Sequence, residues 1–502
     1  METAILAIFT FLLFIIFLYS LVQLNLLLNY RKNLKNKPDA EKWDFKDISR
    51  FPNVTIQLPL YNEKPVVERL LKNIARIDYP KNKLEIQVLD DSTDDSLEIT
   101  RRLVREIQST GIDMRLLHRT KRTGFKAGAL KEGLKSAKGE FIAIFDSDFL
   151  PKPDWLKKTL PYFKNDKIGV VQTRWGHLNR NYSLLTKLQA FLLDFHFILE
   201  QNGRNAGHHF INFNGTAGIW RKSCIMDAGN WSGDTLTEDL DLSYRAQLKG
   251  WKFKYLEEVE TPAELPITIN AAKSQQFRWN KGAAENFQKN FSKMLRKSGI
   301  PLGTKIHSFF HLLNSSLFLL VFVLSLISVP LLFTTQGSLD SIFGGILTFF
   351  SISTLIFFLS YWVSFSKTEG SGLRSFFKYC WMFFTFFSIA MGFSLHNSRA
   401  VLEGHFGKKS AFIRTPKFNI AGKSNFKEVG RIQITGQLIL EILLICLFAF
   451  AIYSAFKIEN YRLILFHFML FFGFAYVVLT SLFPAGFTRW RKPRTDLNSD
   501  RL

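Results

Sequence analysis

The sequence predicts an α/β domain inserted into a helical membrane domain, and three observations carry that prediction. Five stretches are long and apolar enough to cross a bilayer, which needs about 20 such residues. Between the first and second of them, β-rich and helical patterns alternate, with no internal repeat or low-complexity tract. The acidic residues of that insert gather where its strands end.

The first apolar run is Ile5–Leu28. A signal peptide is the alternative, but the apolar core is too long and no small-residue cleavage site follows. Arg31, Lys32, Lys35 and Lys37 follow the run and only Glu2 precedes it, so Met1 is expected outside and residue 31 onward in the cytosol. The other spans are Leu312–Phe333, Ile342–Trp362, Ile434–Ala455 and Leu463–Phe483. A sixth run, Tyr379–Leu395, is shorter and very aromatic. Thr334–Ser341 has no Lys or Arg and reads as external, whereas Arg399–Arg431 and the tail Arg489-Trp490-Arg491-Lys492 are basic and ask for the cytosol. All basic stretches fall inside only if Tyr379–Leu395 lies along the inner surface as an interfacial helix instead of crossing. The expected organisation is an anchor (1–30), a cytosolic domain (31–305), a helix pair (306–365), an interfacial helix with a basic loop (366–433), a second pair (434–485) and a short basic tail (486–502). No regulatory nucleotide-binding domain is expected after the last span.

Composition agrees with this partition. Hydrophobic residues make up 47% of the 502 and Phe alone occurs 52 times, yet 65 Lys and Arg against 42 Asp and Glu leave a net charge of +23. That mixture excludes a plain soluble enzyme and a disordered chain. The three cysteines, Cys224, Cys380 and Cys446, are too few for a disulfide scaffold, and no Cys/His spacing resembles a zinc site. No nucleic-acid recognition motif accompanies the positive charge, so anionic membrane lipids are the expected partner and nucleic acid is not.

Within the insert, Val54–Leu60, Leu84–Asp90, Met114–His118 and Glu140–Asp146 read as strands. Lys64–Ile77, Ser96–Ser109 and Lys126–Ala137 between them read as helices, which implies a mainly parallel, doubly covered sheet. Ligands collect at the carboxyl ends of such strands. Asp90-Asp91 ends the second strand and Asp146-Ser147-Asp148 the fourth. No Walker loop or Gly-rich dinucleotide fingerprint occurs, so a nucleotide diphosphate needs another hold. Two carboxylates one residue apart at a strand-to-loop turn can share a hard cation that also binds phosphate oxygens. A lone Asp-x-Asp is common in surface loops; its place after five apolar residues gives it weight.

Four constellations follow in order: Asp90-Asp91-Ser92-Thr93-Asp94, Asp146-Ser147-Asp148, Thr237-Glu238-Asp239 and Gln275-Gln276-Phe277-Arg278-Trp279. The series resembles the D, DxD, TED, QxxRW motifs of the processive inverting glycosyltransferases of family 2, which have the GT-A (Rossmann-like) fold. The flanking Asn214–Arg221, His396–Gly404 and Gly407–Ser410 are similar to the plant cellulose-synthase-like mannan and glucan synthases and their bacterial relatives. The resemblance spans nearly the whole chain.

It implies that Asp90 and Asp91 meet the base and ribose of a nucleotide sugar and that Lys126 lies near that nucleotide. Carboxylates suit ribose hydroxyls and base N–H groups, and a Lys suits an anion. Helix capping competes for the same acidic run, with Asp94 the better cap. Asp146 and Asp148 are implied to hold Mg2+ or Mn2+ against the diphosphate, and Asp239 to be the general base that takes the acceptor hydroxyl proton. Thr237 fits a helix cap better than Asp239 does. Gln275, Arg278 and Trp279 share a helical face suited to diphosphate and a sugar ring, although an amphipathic helix at the membrane surface reads the same way. Asn214, Gly215 and Thr216 resemble the acceptor-side loop. Phe412-Ile-Arg-Thr-Pro-Lys417 resembles the family's gating loop, Phe-x-Val-Thr-x-Lys. It keeps Phe412, Thr415 and Lys417 but has Arg414 and Pro416 in place of the usual residues.

The expected function is transfer of a hexose from UDP-glucose or GDP-mannose to the growing end of a β-1,4-glucan or mannan, coupled to export. The setting is a plasma, inner or Golgi-type membrane with the catalytic domain cytosolic. Tyr361, Trp362, Tyr453, Tyr476 and Glu441 are candidates to line a glycan route, with dense packing of a Phe-rich bundle as the alternative. A lipid glycosyltransferase adding one sugar to a ceramide or polyprenyl acceptor shares most of these motifs. A transporter or channel fits less well, because the spans hold few ionisable residues.

Overall fold

The computed structural model describes residues 2–35, 51–334, 338–410, 412–419 and 435–483. Lys37, residues 335–337 of the loop expected outside, residues 411 and 420–431 of the basic stretch, Ile434 of the fourth expected span and the tail Arg489–Lys492 lie outside them.

Seven strands form one sheet: β1 (Val54–Leu60), β2 (Leu84–Asp90), β3 (Asp113–His118), β4 (Phe141–Ile144), β5 (Ile168–His177), β6 (Gly218–Arg221) and β7 (Lys252–Ala263). Their order is β3-β2-β1-β4-β6-β5-β7. All pair in parallel except β6, which runs antiparallel to both β4 and β5. The sheet is therefore mixed, and β1 with β2 match the sequence reading residue for residue. β4 is shorter than expected and stops at Ile144, which frees Asp146 and Asp148 into the following loop. The first helix is also shorter, Val67–Ile74.

Period-two alternation splits the strands between two cores. Phe141 and Ala143 join Ile56, Leu58, Leu70 and Leu103 on one face; Ile142 and Ile144 join Leu130, Trp220 and Trp231 on the other. β1 and β2 are buried along both faces, and the polar residues among them pair across the strands: Thr55 donates to Glu85 at 2.7 Å and Gln57 to Gln87 at 3.0 Å. Sheet order turns outward in both directions from β1. The ends of β1, β2 and β4 therefore open one crevice, the switch point at which open α/β sheets bind ligands.

Among the described residues, five helices are long and apolar enough to cross a membrane: Glu2–Leu34, Leu302–Phe333 (broken by a short 3-10 turn), Ser341–Glu369, Gly436–Lys457 and Ile464–Leu482. The run expected on the membrane surface belongs to Leu373–Gly392, which bends by 53° into Ser394–His405; the pair makes a sixth span only if counted as one bent element. Leu373–Gly392 packs tightly on Ile464–Leu482: a Cβ on Gly473 would stand 1.9 Å from the Ser388 carbonyl oxygen.

The side chains expected to line a glycan route are mostly occupied otherwise. Glu441 is buried in an ion pair with Lys273. Tyr361 lies flat on Phe195, centroids 3.8 Å apart, and Trp362 meets Phe376 edge-on. Tyr453 is 64% exposed.

Candidate active site

The crevice is built from strand ends. Past β1, Glu63 is buried, which pushes its carboxyl up to about 7 against the pull of Lys417 and Arg414. Past β2, Asp91 lines the cleft and is held bidentately by Arg119 from the end of β3, at 2.8 and 2.5 Å. Asp90 does not line it. Its carboxylate is buried and accepts the Ser92 backbone N–H at 2.8 Å, which shapes the turn that aims Asp91. Arg122 stacks over the Tyr61 ring at 3.6 Å, with the Phe125 ring at 5.2 Å.

Past β4, Asp146 and Asp148 both face the cleft. The Asp146 backbone N–H donates to the Thr216 hydroxyl at 2.9 Å. Thr216 is thus fully buried and fixes the Asp-x-Asp loop instead of touching the cleft. Lys126 donates to Asp146 at 2.5 Å and to the Gly215 carbonyl at 2.9 Å. Burial works against the Lys126 charge, but Asp146, Glu238 and Asp239 outweigh it and raise its pKa.

Asp239 sits half-buried in the first turn of helix Glu238–Leu248, where its Oδ1 accepts the Leu240 N–H at 2.9 Å. Burial and the adjacent Glu238 push Asp239 well above the usual carboxylate range, against Lys126. Gly215 is the near wall: its φ of +79° suits glycine, and a Cβ there would stand 3.0 Å from Asp239 Oδ2. Thr237, expected to cap the helix, makes no side-chain cap; its hydroxyl takes a hydrogen bond from Asn286 at 3.0 Å instead.

Gln275, Arg278 and Trp279 lie on helix Ile269–Arg296 and line the opposite wall, as their spacing predicts. Beyond them the cleft continues past Trp175, His177 and Leu265, an aromatic and apolar end suited to sugar rings. Residues 412–417 form the roof. Phe412 stacks on Phe125 and under the Arg278 guanidinium (4.6 Å), and the Thr415 hydroxyl accepts from Arg278 at 3.1 Å. Arg414 pairs with Glu63 at 2.6 Å, and Lys417 pairs with Asp148. With this strap in place the cavity is about 180 Å3, below the roughly 300–1,000 Å3 of clefts that hold ligands of drug size.

The donor set fits a hard divalent cation. Two carboxylates share the loop, and an ammonium, that of Lys417, already stands at Asp148. Among the described residues no third His, Cys, Asp or Glu joins them. That suits an ion whose remaining ligands are phosphate oxygens and water.

Residues 52–282 match the glycosyltransferase-like family 2. Glucomannan 4-beta-mannosyltransferase 2 of Arabidopsis thaliana is 34% identical over 403 residues, 76% of this chain and 71% of that protein. The chain belongs to glycosyltransferase family 2. A probable glucomannan 4-beta-mannosyltransferase 4 of Oryza sativa subsp. japonica is 39% identical over 57% of this chain, and number 7 of Arabidopsis thaliana is 35% identical over 63%. The matched stretches span 54% and 60% of those two relatives. The fold is shared with the mannosyltransferase PcManGT of Pyrobaculum calidifontis, solved with GDP-Man and Mn2+ (TM-score 0.52, 20% identity, covering 80% of this chain and all of that one).

The cleft gathers the residues expected to hold donor, metal and acceptor and those of the gating motif, except Asp90 and Thr216, which do not line it; the glycan-route candidates lie in the helical bundle. Sequence reasoning missed Tyr61, Glu63, Arg119 and Arg122. The only advance signal was position, since each follows a strand end within a few residues.

Proposed function

We propose that the chain is a membrane-bound inverting mannosyltransferase that extends a β-1,4-linked mannan or glucomannan from GDP-mannose on the cytosolic side. The carrying observation is Asp239, a carboxylate with raised pKa facing the cleft beside Lys126 and across from Arg278. The acceptor hydroxyl gives its proton to the Asp239 carboxylate as its oxygen bonds the anomeric carbon. The bond from that carbon to the diphosphate breaks on the opposite face, so an α-linked donor yields a β-glycoside and a free nucleoside diphosphate. Lys126 and Arg278 offset the charge that the departing diphosphate gathers. Mg2+ or Mn2+, held by Asp146 and Asp148, would supply further positive charge at that same leaving group. Asp91, held in place by Arg119, offers acceptor oxygens to the base and ribose, and Trp279 offers a face to a sugar ring.

Lys417 pairs with Asp148, so residues 412–417 lift to free that carboxylate when a donor enters and close again over the bound donor. The choice of mannose follows the plant relatives and the Pyrobaculum enzyme's ligand, with UDP-glucose as the donor to test against. Nucleoside diphosphate release from a panel of nucleotide sugars, followed by mannanase and glucanase digestion of the product, tests the reading. A product that is a monoglycosylated lipid, or release from UDP-glucose alone, would overturn it.

A further inference from the structure

Helix Leu184–Asp194 runs on through a π-turn, Phe195–Glu200, into Gln201–Ala206. That stretch lies against the first apolar helix so closely that a Cβ on Gly203 would stand 2.5 Å from the Leu26 carbonyl oxygen. Turns of this kind occur frequently at functional sites, and this one carries a polar relay that ends in the cleft. Asn214 Nδ2 is 3.0 Å from His196 Nε2, His196 Nδ1 is 2.9 Å from Glu200 Oε2, and Glu200 Oε1 is 2.7 Å from Gln23 Nε2 of the first apolar helix.

One backbone group fixes the direction of every bond in the relay. Gln201 Nε2 donates to the Asn212 carbonyl at 2.8 Å, and a carbonyl only accepts. The same nitrogen lies 2.6 Å from Asn214 Oδ1, which therefore accepts. Asn214 must then turn its NH2 toward His196, so Nε2 is the accepting nitrogen and the ring proton is on Nδ1, donated to Glu200. Burial alone would push Glu200 up, but Arg204 and the hydrogen bonds from His196 and Gln23 outweigh it and hold it at about 2, an anion that only accepts. The Asn214 NH2 has a second hydrogen, and Asn214 lines the cleft next to Gly215, against which Asp239 stands.

We propose that His196 and Glu200 are positioning residues that lock the Asn214 carboxamide with its second N–H directed at an oxygen of the acceptor glycan. The inference rests on the transferase reading above. Without His196 the Gln201 bond alone holds the amide, and the turned-over orientation, which presents a carbonyl oxygen to the acceptor glycan, gains population.

The test uses the full-length protein in detergent or nanodiscs with GDP-mannose and a mannan oligosaccharide. His196→Phe removes both bonds of the ring, whereas His196→Gln keeps one acceptor and one donor. His196→Phe should raise the KM for the oligosaccharide about tenfold or more, the loss typical of one hydrogen bond to a bound ligand. The donor KM and acceptor-independent release of GDP should stay within about twofold, and His196→Gln should recover most of the loss. Gln201→Met, which frees the amide from the other side, should show the same acceptor-selective rise and serves where the Phe variant does not fold. An unchanged acceptor KM in the variants, an equal rise in both KM values, or no recovery by Gln overturns the positioning role while wild-type transfer stands. No transfer by the wild type from any nucleotide sugar overturns the transferase reading and this inference with it.

Discussion

Replacing Lys273 by Met should destabilise the protein more than replacing its partner Glu441 by Gln. Lys273 Nζ stands 3.0 and 3.1 Å from the two Glu441 oxygens and 3.4 Å from the Ser481 hydroxyl. The Glu441 side chain is fully buried, while that of Lys273 is 13% exposed. Removing one partner of a buried pair leaves an uncompensated charge and costs about 3–5 kcal/mol. Gln437 still donates to Glu441 at 2.8 Å in Lys273→Met, which puts the expected loss at the low end, about 3 kcal/mol. In Glu441→Gln the lysine keeps Ser481 and reaches water, so the loss should be nearer 1 kcal/mol, that of an ordinary hydrogen bond. The double variant Lys273→Met/Glu441→Leu removes both charges and should regain most of the stability, because apolar replacement of a whole buried pair is often neutral. Denaturant titration in mixed micelles with an intrinsic Trp signal gives all three values. Additive losses, or Lys273→Met as stable as the wild type, would refute the argument.

Asp239→Asn should lower transfer about 10²–10⁴-fold and leave donor binding largely intact. The wild-type rate should fall on the acid side from a pH well above the ordinary carboxylate range near 4, because a raised pKa makes the proposed base protonate early; the Asn variant should lose that limb. Asp148→Ala should abolish activity and metal dependence together, and full wild-type activity in EDTA would sink the Asp-x-Asp reading. Lys417→Met should reduce the Mn2+ needed for half-maximal donor binding about tenfold or more, since it removes a charge-assisted bond to Asp148, of which about 1.4 kcal/mol is tenfold. If the spans carry polymer outward, inside-out vesicles given donor should protect the product from added hydrolase; product accessible on the donor side would dismiss export and leave the transferase reading untouched.

The parts of this molecule that were legible in the sequence are those whose signal is local. β1 and β2 show a short β-rich pattern of Val, Ile and Leu, and the acidic pair Asp90-Asp91 at the end of β2 marks a cleft. β5 and β7 were not foreseen, because Gln172, Thr173 and Arg174 in one and Glu257, Glu258 and Glu260 in the other break the apolar pattern. Their polar groups are answered across strands: Arg174 reaches Glu260, and Thr173 meets Thr261. β6 hides in four residues directly after the turn at Gly215. Pairings at long range were invisible for the same reason. Glu441 read as a costly membrane charge suited to a glycan, because Lys273 lies 168 residues away. Arg414 read as a departure from the gating pattern, yet it has a partner in Glu63, itself overlooked at the end of β1.

Helix Ile269–Arg296 joins the cleft to the membrane helices. At 100° per residue, Gln275, Arg278 and Trp279 fall within one sector of the helix, and Lys273, Gln276 and Phe277 fall on the other side. The first set lines the cleft. The second is tied to the membrane bundle: Lys273 to Glu441, Gln276 to Asn397 at 2.8 Å, and Phe277 against the His396 ring. One turn further on, the buried Lys281 donates to Glu403 at 3.3 Å and to Ser410 at 2.9 Å, the latter just ahead of the strap. Gly404 lets helix Ser394–His405 come so close that a Cβ there would stand 2.6 Å from the Lys281 carbonyl oxygen. A helix gripped along one side by the bundle cannot rotate without moving Arg278, and Arg278 holds both Phe412 and Thr415 of the strap. If residues 412–417 lift to admit a donor, as proposed above, they break contacts to Arg278 on the same helix that the membrane bundle grips.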